Sequence, residues 1–371
     1  MKFTLMQSEL QKALHLVASV VPSKSTLPIL ETVLVEVAPG GELTLTATDL
    51  DISVRTRRSA DVEEGGRVAV AARRLHDVVR ELGEQEVNLA GEESGLTLQC
   101  ASGRYRFVGA PVDDFPGLPE IPDQKPVEIE RAKLEKMIRR TLYAVSTDET
   151  RPELTGLFMS IQEEALSMVA TNGHRLARAG VAGAFKQKRD MLLPPKALNQ
   201  LLRLMGDETE NLLLSGSKNY ARVQVGQTEL YSRLLEGPFP EYERVIPKSN
   251  PLHAVFGRDD LTASLRRILV LSDSQTRQVK MVFEPSRLQI LAEYQGAGEA
   301  MEELAIEYEG EPITIGYNGG YLLDMLKTFD TDRVEMAFQS AVSAGVFQPA
   351  EQKSDEEMLC LVMPLRLPEA G

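Results

Sequence analysis

The sequence predicts an α+β protein of three tandem domains, each built from two similar strand–helix–three-strand halves. Three observations carry this. Amphipathic helical segments recur at intervals near 124 residues. Alternating strand patterns joined by short Gly, Asn and Asp turns fill the space between them. The chain also has 371 residues, which is long for one core and suits two or three.

The first helical pattern follows a short strand in "FTLMQSELQKALHLVASVV", "VEIERAKLEKMIRRTLYAVS" and "HAVFGRDDLTASLRRILVLS". The matched leucines are Leu10, Leu134 and Leu261, spaced 124 and 127 apart. A second helix recurs in "VAVAARRLHDVVREL", "MLLPPKALNQLLRLM" and "ITIGYNGGYLLDMLKT". Six helices are therefore predicted, over 7–24, 73–82, 131–146, 195–205, 258–272 and 317–328. Between them, runs such as "LETVLVEVA", "ELTLTAT" and "ISVRTRR" read as strands. The proline-rich segments "DFPGLPEIP" and "PFPEYERVIP" place Phe115 and Phe239 124 apart and read as linkers, since proline cannot continue a strand or helix. The domains are predicted at 1–123, 124–250 and 251–371. The halves can form antiparallel sheets with helices on one face. Head-to-tail closure into a ring would cover the terminal strand edges.

The stretch "ATNGHRLA" at 170–177 poses a question of chemistry. Its histidine has no catalytic partner in the sequence, but the stretch has a relative. "LTLTATDLDISV" aligns with "LSMVATNGHRLA", Thr48 on Thr171. Asp49 and Asn172 then stand where a strand ends and the chain turns, a position both side chains favour. On the residues alone, His174 reads as a turn residue.

Charge is unevenly distributed. The net charge is −14, which taken alone argues against a nucleic-acid partner. Yet the six helical segments hold sixteen basic and seven acidic residues, a surplus of nine, and leave −23 for the rest. A basic helical layer beside acidic sheets suits a polyanion that touches helices only, held by phosphate attraction without base reading. The candidates to face DNA are Lys12, Lys24, Arg73, Arg74, Lys136, Arg139, Arg140, Lys196, Arg203 and Arg266. Six helices packed about 9 Å apart enclose no duplex-sized hole, whereas twelve leave one of roughly 24 Å. Two chains supply twelve.

Other classes find little support. Cys100 and Cys360 form no C-x-x-C pair, and the four histidines are scattered, so no metal or redox centre is predicted. No cofactor motif is present. No apolar run approaches the roughly 18 residues of a membrane span, and the N-terminus lacks a signal peptide's apolar block; a cytoplasmic protein with no membrane partner is expected. One rival is a metal-dependent enzyme built on Asp49 and Asp51. It is weakened because the second copy, "TNGH", lacks both acids. Another rival is a protein scaffold that never touches DNA.

"TLPIL" at 26–30, "ATNGHRLA", "FPEYERVIP" and "VMPLRL" at 362–367, in that order and over essentially the whole chain, resemble the bacterial DNA polymerase III β sliding-clamp family. The resemblance implies a head-to-tail homodimeric ring around duplex DNA, with helices inside and sheets outside, no catalysis and no cofactor. It implies partners that include the polymerase III α subunit, the clamp loader, other polymerases and repair proteins, bound through short linear peptides. Carried over by position, the peptide pocket comprises Leu154, Thr171, Gly173, His174, Arg175, Leu176, Pro240, Arg244, Val245, Leu361, Val362, Met363, Pro364, Leu365, Arg366 and Leu367. The dimer seam comprises Tyr105, Phe107, Leu269, Leu271 and Ser272. The sequence departs from the family's pattern at Asn172, where Asp is common, and at Leu365, where Met is common. It also carries "PEAG" beyond the usual last leucine, and its 147–153 loop, "TDETRPE", lacks the tyrosines some members place near DNA.

Overall fold

A computed structural model describes residues 1–92, 94–122, 125–185, 187–206, 211–294, 298–352 and 354–367. Six halves follow one another. The first is β1 (Lys2–Met6), α1 (Gln7–Ala18), β2 (Thr32–Ala38), β3 (Glu42–Thr48) and β4 (Ile52–Ser59), followed by a short extra strand, β5 (Asp61–Glu64). The second is β6 (Gly66–Ala71), α2 (Ala72–Glu81), β7 (Glu86–Glu92), β8 (Gly95–Cys100) and β9 (Gly103–Ala110). The third is β10 (Val127–Glu130), α3 (Arg131–Thr141), β11 (Leu157–Ile161), β12 (Ala165–Thr171) and β13 (Arg175–Ala182). The fourth is β14 (Arg189–Leu193), α4 (Pro195–Leu204), β15 (Asn211–Gly216), β16 (Tyr220–Val225) and β17 (Thr228–Arg233). The fifth is β18 (Leu252–Gly257), α5 (Arg258–Ile268), β19 (Gln278–Glu284), β20 (Arg287–Tyr294) and β21 (Gly298–Ala305). The sixth is β22 (Ile313–Asn318), α6 (Gly319–Leu326), β23 (Arg333–Phe338), β24 (Gly345–Pro349) and β25 (Glu356–Val362).

The helices form because their apolar residues fall three and four apart. Leu10, Ala13, Leu14 and Val17 bury one face of α1, and Leu261, Leu265 and Ile268 bury one face of α5. Four of the predicted segments overran by more than one residue. The first α-helix ends at Ala18, before Pro22, whose ring blocks continuation. The segments 131–146 and 258–272 tighten into 3₁₀ turns at Leu142–Ala144 and Leu269–Leu271. In the last, Asn318 is an N-cap whose side chain accepts from the Tyr321 N–H, so the helix starts after it. Lys24 and Lys327 thus leave the helices, which hold fourteen basic against seven acidic residues. The surplus falls from nine to seven.

Each first strand leaves its own half and pairs with the second strand of its sister half. β1 pairs β7 and β6 pairs β2; β10 pairs β15 and β14 pairs β11; β18 pairs β23 and β22 pairs β19, all antiparallel. Sheets also continue across the repeats, through β4–β17 and β13–β25. The chain therefore clusters into two compact units that cut the middle repeat. Unit 1 holds Met1–Ala132 and Lys196–Leu234, and unit 2 holds Lys133–Pro195 and the chain from Leu235 onward. Unit 1 contains a 13-stranded sheet; unit 2 contains sheets of eight and four strands. In unit 1, Leu10, Leu14, Leu43, Leu45, Leu75 and Leu89 are fully buried; in unit 2, Phe283, Tyr317, Phe338 and Phe347 are.

The two matched hairpins share one set of bonds. In β3–β4, Asp49 Oδ1 accepts from the N–H groups of Asp51 and Ile52 at 3.1 and 2.7 Å, and Thr48 Oγ1 accepts from Leu50 N–H at 3.0 Å. In β12–β13, Asn172 Oδ1 accepts from His174 and Arg175, both at 3.0 Å, and Thr171 Oγ1 accepts from Gly173 N–H at 3.1 Å. The residue between has positive φ in both, +79° at Leu50 and +88° at Gly173. In the third copy the matching positions, 295–297, lie outside the described residues.

The second Asp49 oxygen pairs with Lys196, so this carboxylate is fully used in holding structure. Because Asn172 makes the same turn, Asp49→Asn should shift stability by less than about 0.5 kcal/mol, the lost ion pair being worth little beside an exposed lysine. Asp49→Ala, which removes the turn acceptor, should cost about 1–2 kcal/mol. Urea denaturation of the two variants checks the difference.

Candidate functional site

Unit 2 brings together the segments 171–176, 240–245 and 361–367. The β12–β13 hairpin supplies the first. Strand pairing sets Arg175 opposite Val362 and Leu176 opposite Leu361, and the Met363 N–H donates to the His174 carbonyl at 2.8 Å. The chain then leaves the strand. Leu365 N–H donates to the Gly316 carbonyl at 2.8 Å, and the Arg366 carbonyl accepts from Gln278 at 3.1 Å. Gly316 must be glycine here, because a Cβ would stand 2.8 Å from the Leu365 oxygen and 2.9 Å from the Leu367 side chain. Pro364, Leu365 and Leu367 are thereby held half-buried.

The third segment is anchored by aromatic packing. Phe239 stacks on Phe158 of β11, with ring centroids 5.0 Å apart and planes within 5°, and Tyr242 leans on both. Phe239 and Tyr242 pack on a buried cluster of Val169, Leu176, Ala344 and Leu361. This fixes the 3₁₀ turn Tyr242–Val245, which carries Arg244, paired with Glu241, and Val245. Pro240 precedes it, its carbonyl accepting from Tyr242 N–H at 2.7 Å. Leu154 closes another 3₁₀ turn, Pro152–Leu154, whose Arg151 guanidinium lies 3.3 Å from where a Cβ on Gly173 would stand.

Burial divides the predicted pocket residues into two groups. Leu154, Leu176, Leu361 and Val362 are buried support. Val245 and Met363 are 57% and 39% exposed, so they lie at the surface of this assembly and not in its interior. Gly173, His174, Pro240, Arg244 and Arg366 are exposed, and Thr171 is half-buried.

Among the charged residues predicted for the pocket, Arg175 is the one drawn inward. Its guanidinium pairs with Asp324 at 3.0 Å, donates to the Tyr143 carbonyl, and lies 4.5 and 5.2 Å from the ring centres of Tyr321 and Tyr143. Tyr321 also accepts from the Asn172 amide at 3.4 Å. Partial burial would raise the Asp324 carboxyl, but hydrogen bonds from Arg175 and Lys327 bring it below the usual carboxylate range. Tyr143, Tyr321, Asp324 and Ala344 are site residues that the sequence reading missed. Tyr321 and Asp324 fall three apart on α6 and so share a face, a spacing already present in the predicted 317–328 segment. The site offers a hairpin rim, apolar side chains and one braced cation. Among the described residues no group of three metal-ligating side chains occurs.

The comparisons with known proteins agree along the whole chain. Residues 1–119, 128–241 and 243–366 match the models of the N-terminal, central and C-terminal domains of the DNA polymerase III beta subunit. The chain belongs to that family. The beta sliding clamp of Pseudomonas putida is 31% identical over 371 residues, covering 99% of this chain and 100% of its own. That of Synechococcus elongatus is 32% identical over 376 residues, with 99% of this chain and 100% of its own covered. The crystal structure of the DNA polymerase III beta subunit from Pseudomonas aeruginosa superposes with a TM-score of 0.95 at 31% identity, covering 99% of this chain and 100% of that one. The chain is thus a DNA polymerase sliding clamp, a subunit without catalysis of its own, and the enzyme reading of Asp49 and Asp51 has no support.

Within this clamp two further sets of predicted residues can be placed. Lys12, Lys24, Arg73, Arg74, Arg139, Lys196, Arg203 and Arg266 are exposed. Arg140 is not: it is buried and bonds Glu356 and Asp330 at 3.0 and 3.1 Å. Lys136 joins the same two carboxylates, both at 2.7 Å. These two cations serve the packing of α3 and are withdrawn from the DNA-facing set. At the predicted seam, Phe107 is buried in its own sheet while its neighbour Val108 is 82% exposed. Leu269 lies 2.8 Å from where a Cβ on Gly319 would stand, whereas Val270 is 78% exposed. Tyr105, Leu271 and Ser272 are half-buried. Strand alternation and the 3₁₀ turn put the outward residues one position away from the predicted ones.

A carboxyl with a depressed folded-state pKa adds stability above its unfolded value, near 3.9, and loses it as pH falls through the folded value. Asp324→Asn should therefore cost about 1 kcal/mol at pH 7. The difference between wild type and variant should shrink as pH falls below the unfolded value and vanish once it has passed the lower folded-state value. Urea midpoints across this range check it.

Proposed function

We propose that two copies of the chain close head to tail into a ring through which duplex DNA runs without sequence preference. The unit 2 hairpin site then receives short extended peptides from the polymerase α subunit, the clamp loader, and other polymerases and repair proteins. The observation that carries this reading is the assembly of the anchored turn and the C-terminal segment beside the β12–β13 hairpin, on a chain whose family is that of sliding clamps. A relative, the Pseudomonas aeruginosa sliding clamp, has been crystallised bound to griselimycin, which supports a ligand-binding role for the family. We divide the chain into clamp domains 1–123, 124–250 and 251–371. The three family matches support three domains, with the third match starting at residue 243, before the proposed boundary at 251; the first boundary lies outside the described residues, as do the extra residues 368–371. A cytoplasmic location follows from the replicative role. No helix among the described residues is long and apolar enough to cross a membrane.

The exposed basic residues of the helices supply phosphate contacts. Lys12, Arg73, Arg139 and Arg203 changed together to Glu should lower retention on nicked circular DNA at least about tenfold at moderate salt and leave the unfolding curve unchanged. Normal retention of that variant would overturn the charge assignment.

The ring seam joins β9 of one copy to β21 of the other. Beyond Gly109 and Ala110, β9 pairs only β8, and β21 pairs only β20, among the described residues. β9 shows Arg104, Arg106 and Val108 on its exposed face, and β21 shows Glu299, Met301 and Glu303, a complementary set. Val270→Asp, which changes an exposed residue of the single chain, would bury an unpaired charge at the seam. Sedimentation should then find a folded monomer; a persistent dimer at low micromolar concentration refutes this seam.

The peptide site depends on its rim. Met363→Ala should weaken binding of a labelled polymerase-tail peptide by about 1–3 kcal/mol, and the double change of His174 and Arg175 to Ala should weaken it as well. Unchanged affinity in both variants would dismiss the site.

A further inference from the structure

The correspondence between the two hairpins extends beyond the turn itself. In unit 2 the Met363 N–H donates to the carbonyl of His174; in unit 1 the Arg233 N–H donates to the carbonyl of Asp51, both at 2.8 Å. The 3₁₀ turn that carries Leu154 has its match in Pro28–Glu31, where Leu30 is buried to the same degree, 5% exposed. Unit 1 thus repeats the framework of the peptide site. Its side chains differ: buried Ile52 stands where Arg175 stands, so the inward cation is gone.

Two leucines at this second framework face water. Leu50 is 51% exposed and held at φ +79°, a conformation that disfavours every residue with a Cβ. Leu27, at the position matching Arg151, is 49% exposed. In unit 2 the corresponding positions are neighbours, since Arg151 lies over Gly173. An aliphatic side chain kept outward at a strained turn serves packing within the chain poorly and serves contact with another molecule well.

Farther along β4, positive charge is in excess. Arg55 donates to Glu229 at 2.8 Å, and Arg57 and Arg222 lie 3.2 and 3.7 Å from the same nearly buried carboxylate. Exposed Glu42 is 3.6 Å from Arg57, so three guanidiniums meet two carboxylates. The Arg222 Nε is buried without a partner. Arg55 is three residues from Ile52, about 10 Å along the strand, within reach of an extended segment of five or six residues.

We propose that the β3–β4 hairpin with Leu27 and Leu50, together with the arginine cluster of β4 and β16, is a second docking site for an extended partner peptide. The peptide presents an aliphatic side chain and, three to five residues away, a carboxylate that meets the surplus arginine charge. This rests on the peptide reading of the unit 2 hairpin, because the shared framework is what marks unit 1 as a receptor.

The test titrates fluorescein-labelled hexapeptides, with leucine at the first position, glutamate at the fourth, fifth or sixth, and serine elsewhere, against the intact protein. Leu50→Gly removes the anchor and relieves the turn, since glycine takes positive φ freely. On Met363→Ala protein at least one hexapeptide should bind as it does to wild type. Leu50→Gly, or lysine in place of the peptide's glutamate, should weaken that binding about tenfold or more. Binding lost with Met363→Ala and untouched by Leu50→Gly overturns the proposal, as does no binding at about 1 mM. Failure of the unit 2 reading shows separately, as a polymerase-tail peptide that keeps its affinity for Met363→Ala protein.

Discussion

An unpaired strand edge exposes a row of backbone donors and acceptors that must bond to something, and most of this fold follows from where those edges go. Every half gives away its first strand, so neither half of a repeat completes a sheet alone. The last strand of one repeat's first half then meets the next repeat, β4 on β17 and β13 on β25. The extra strand β5 covers the outer edge of β1. Among the edges left open, that of β9 before Gly109 lies in the first repeat and that of β21 in the third. A head-to-tail interface would use both.

The same edge pairing builds the site. β25 runs beside β13 and carries the chain into Met363–Leu367, while Arg175 of β13 reaches Tyr143, Tyr321 and Asp324. A guanidinium drawn inward needs its charge met, and here a carboxylate, a carbonyl and two ring faces meet it. Its Nε remains buried without a partner, which makes the hairpin dependent on the other contacts. The rim residues His174 and Met363 are thus joined through backbone to one braced cation, and their positions are set before any peptide arrives.

Much of the architecture was legible because repeats report themselves. Thr48 and Thr171 align by sequence, and the structure gives them the same bonds. Helix ends were less legible. Nothing in the periodicity of 258–272 separates an α-helix from the 3₁₀ turn that completes it; Asn318, by contrast, is a residue type that favours the cap position it takes. The inward set of Arg175 was not legible either, since Tyr143 and Asp324 are 32 and 149 residues away from it. Only pairing of distant strands brings them together.

Charge shows the same limit. A basic residue on a basic helix is not thereby a DNA contact, because a helix has two faces and arginine can satisfy carboxylates on the inner one. α3 makes this plain: Arg139 is exposed, while its neighbour Arg140 is buried against Asp330 and Glu356. The helices still carry an excess of seven positive charges in a chain of net charge −14. A protein that must hold DNA without gripping it needs that division. Attraction confined to exposed helix faces is screened by salt and indifferent to sequence, and the acidic remainder disfavours binding anywhere else on the surface.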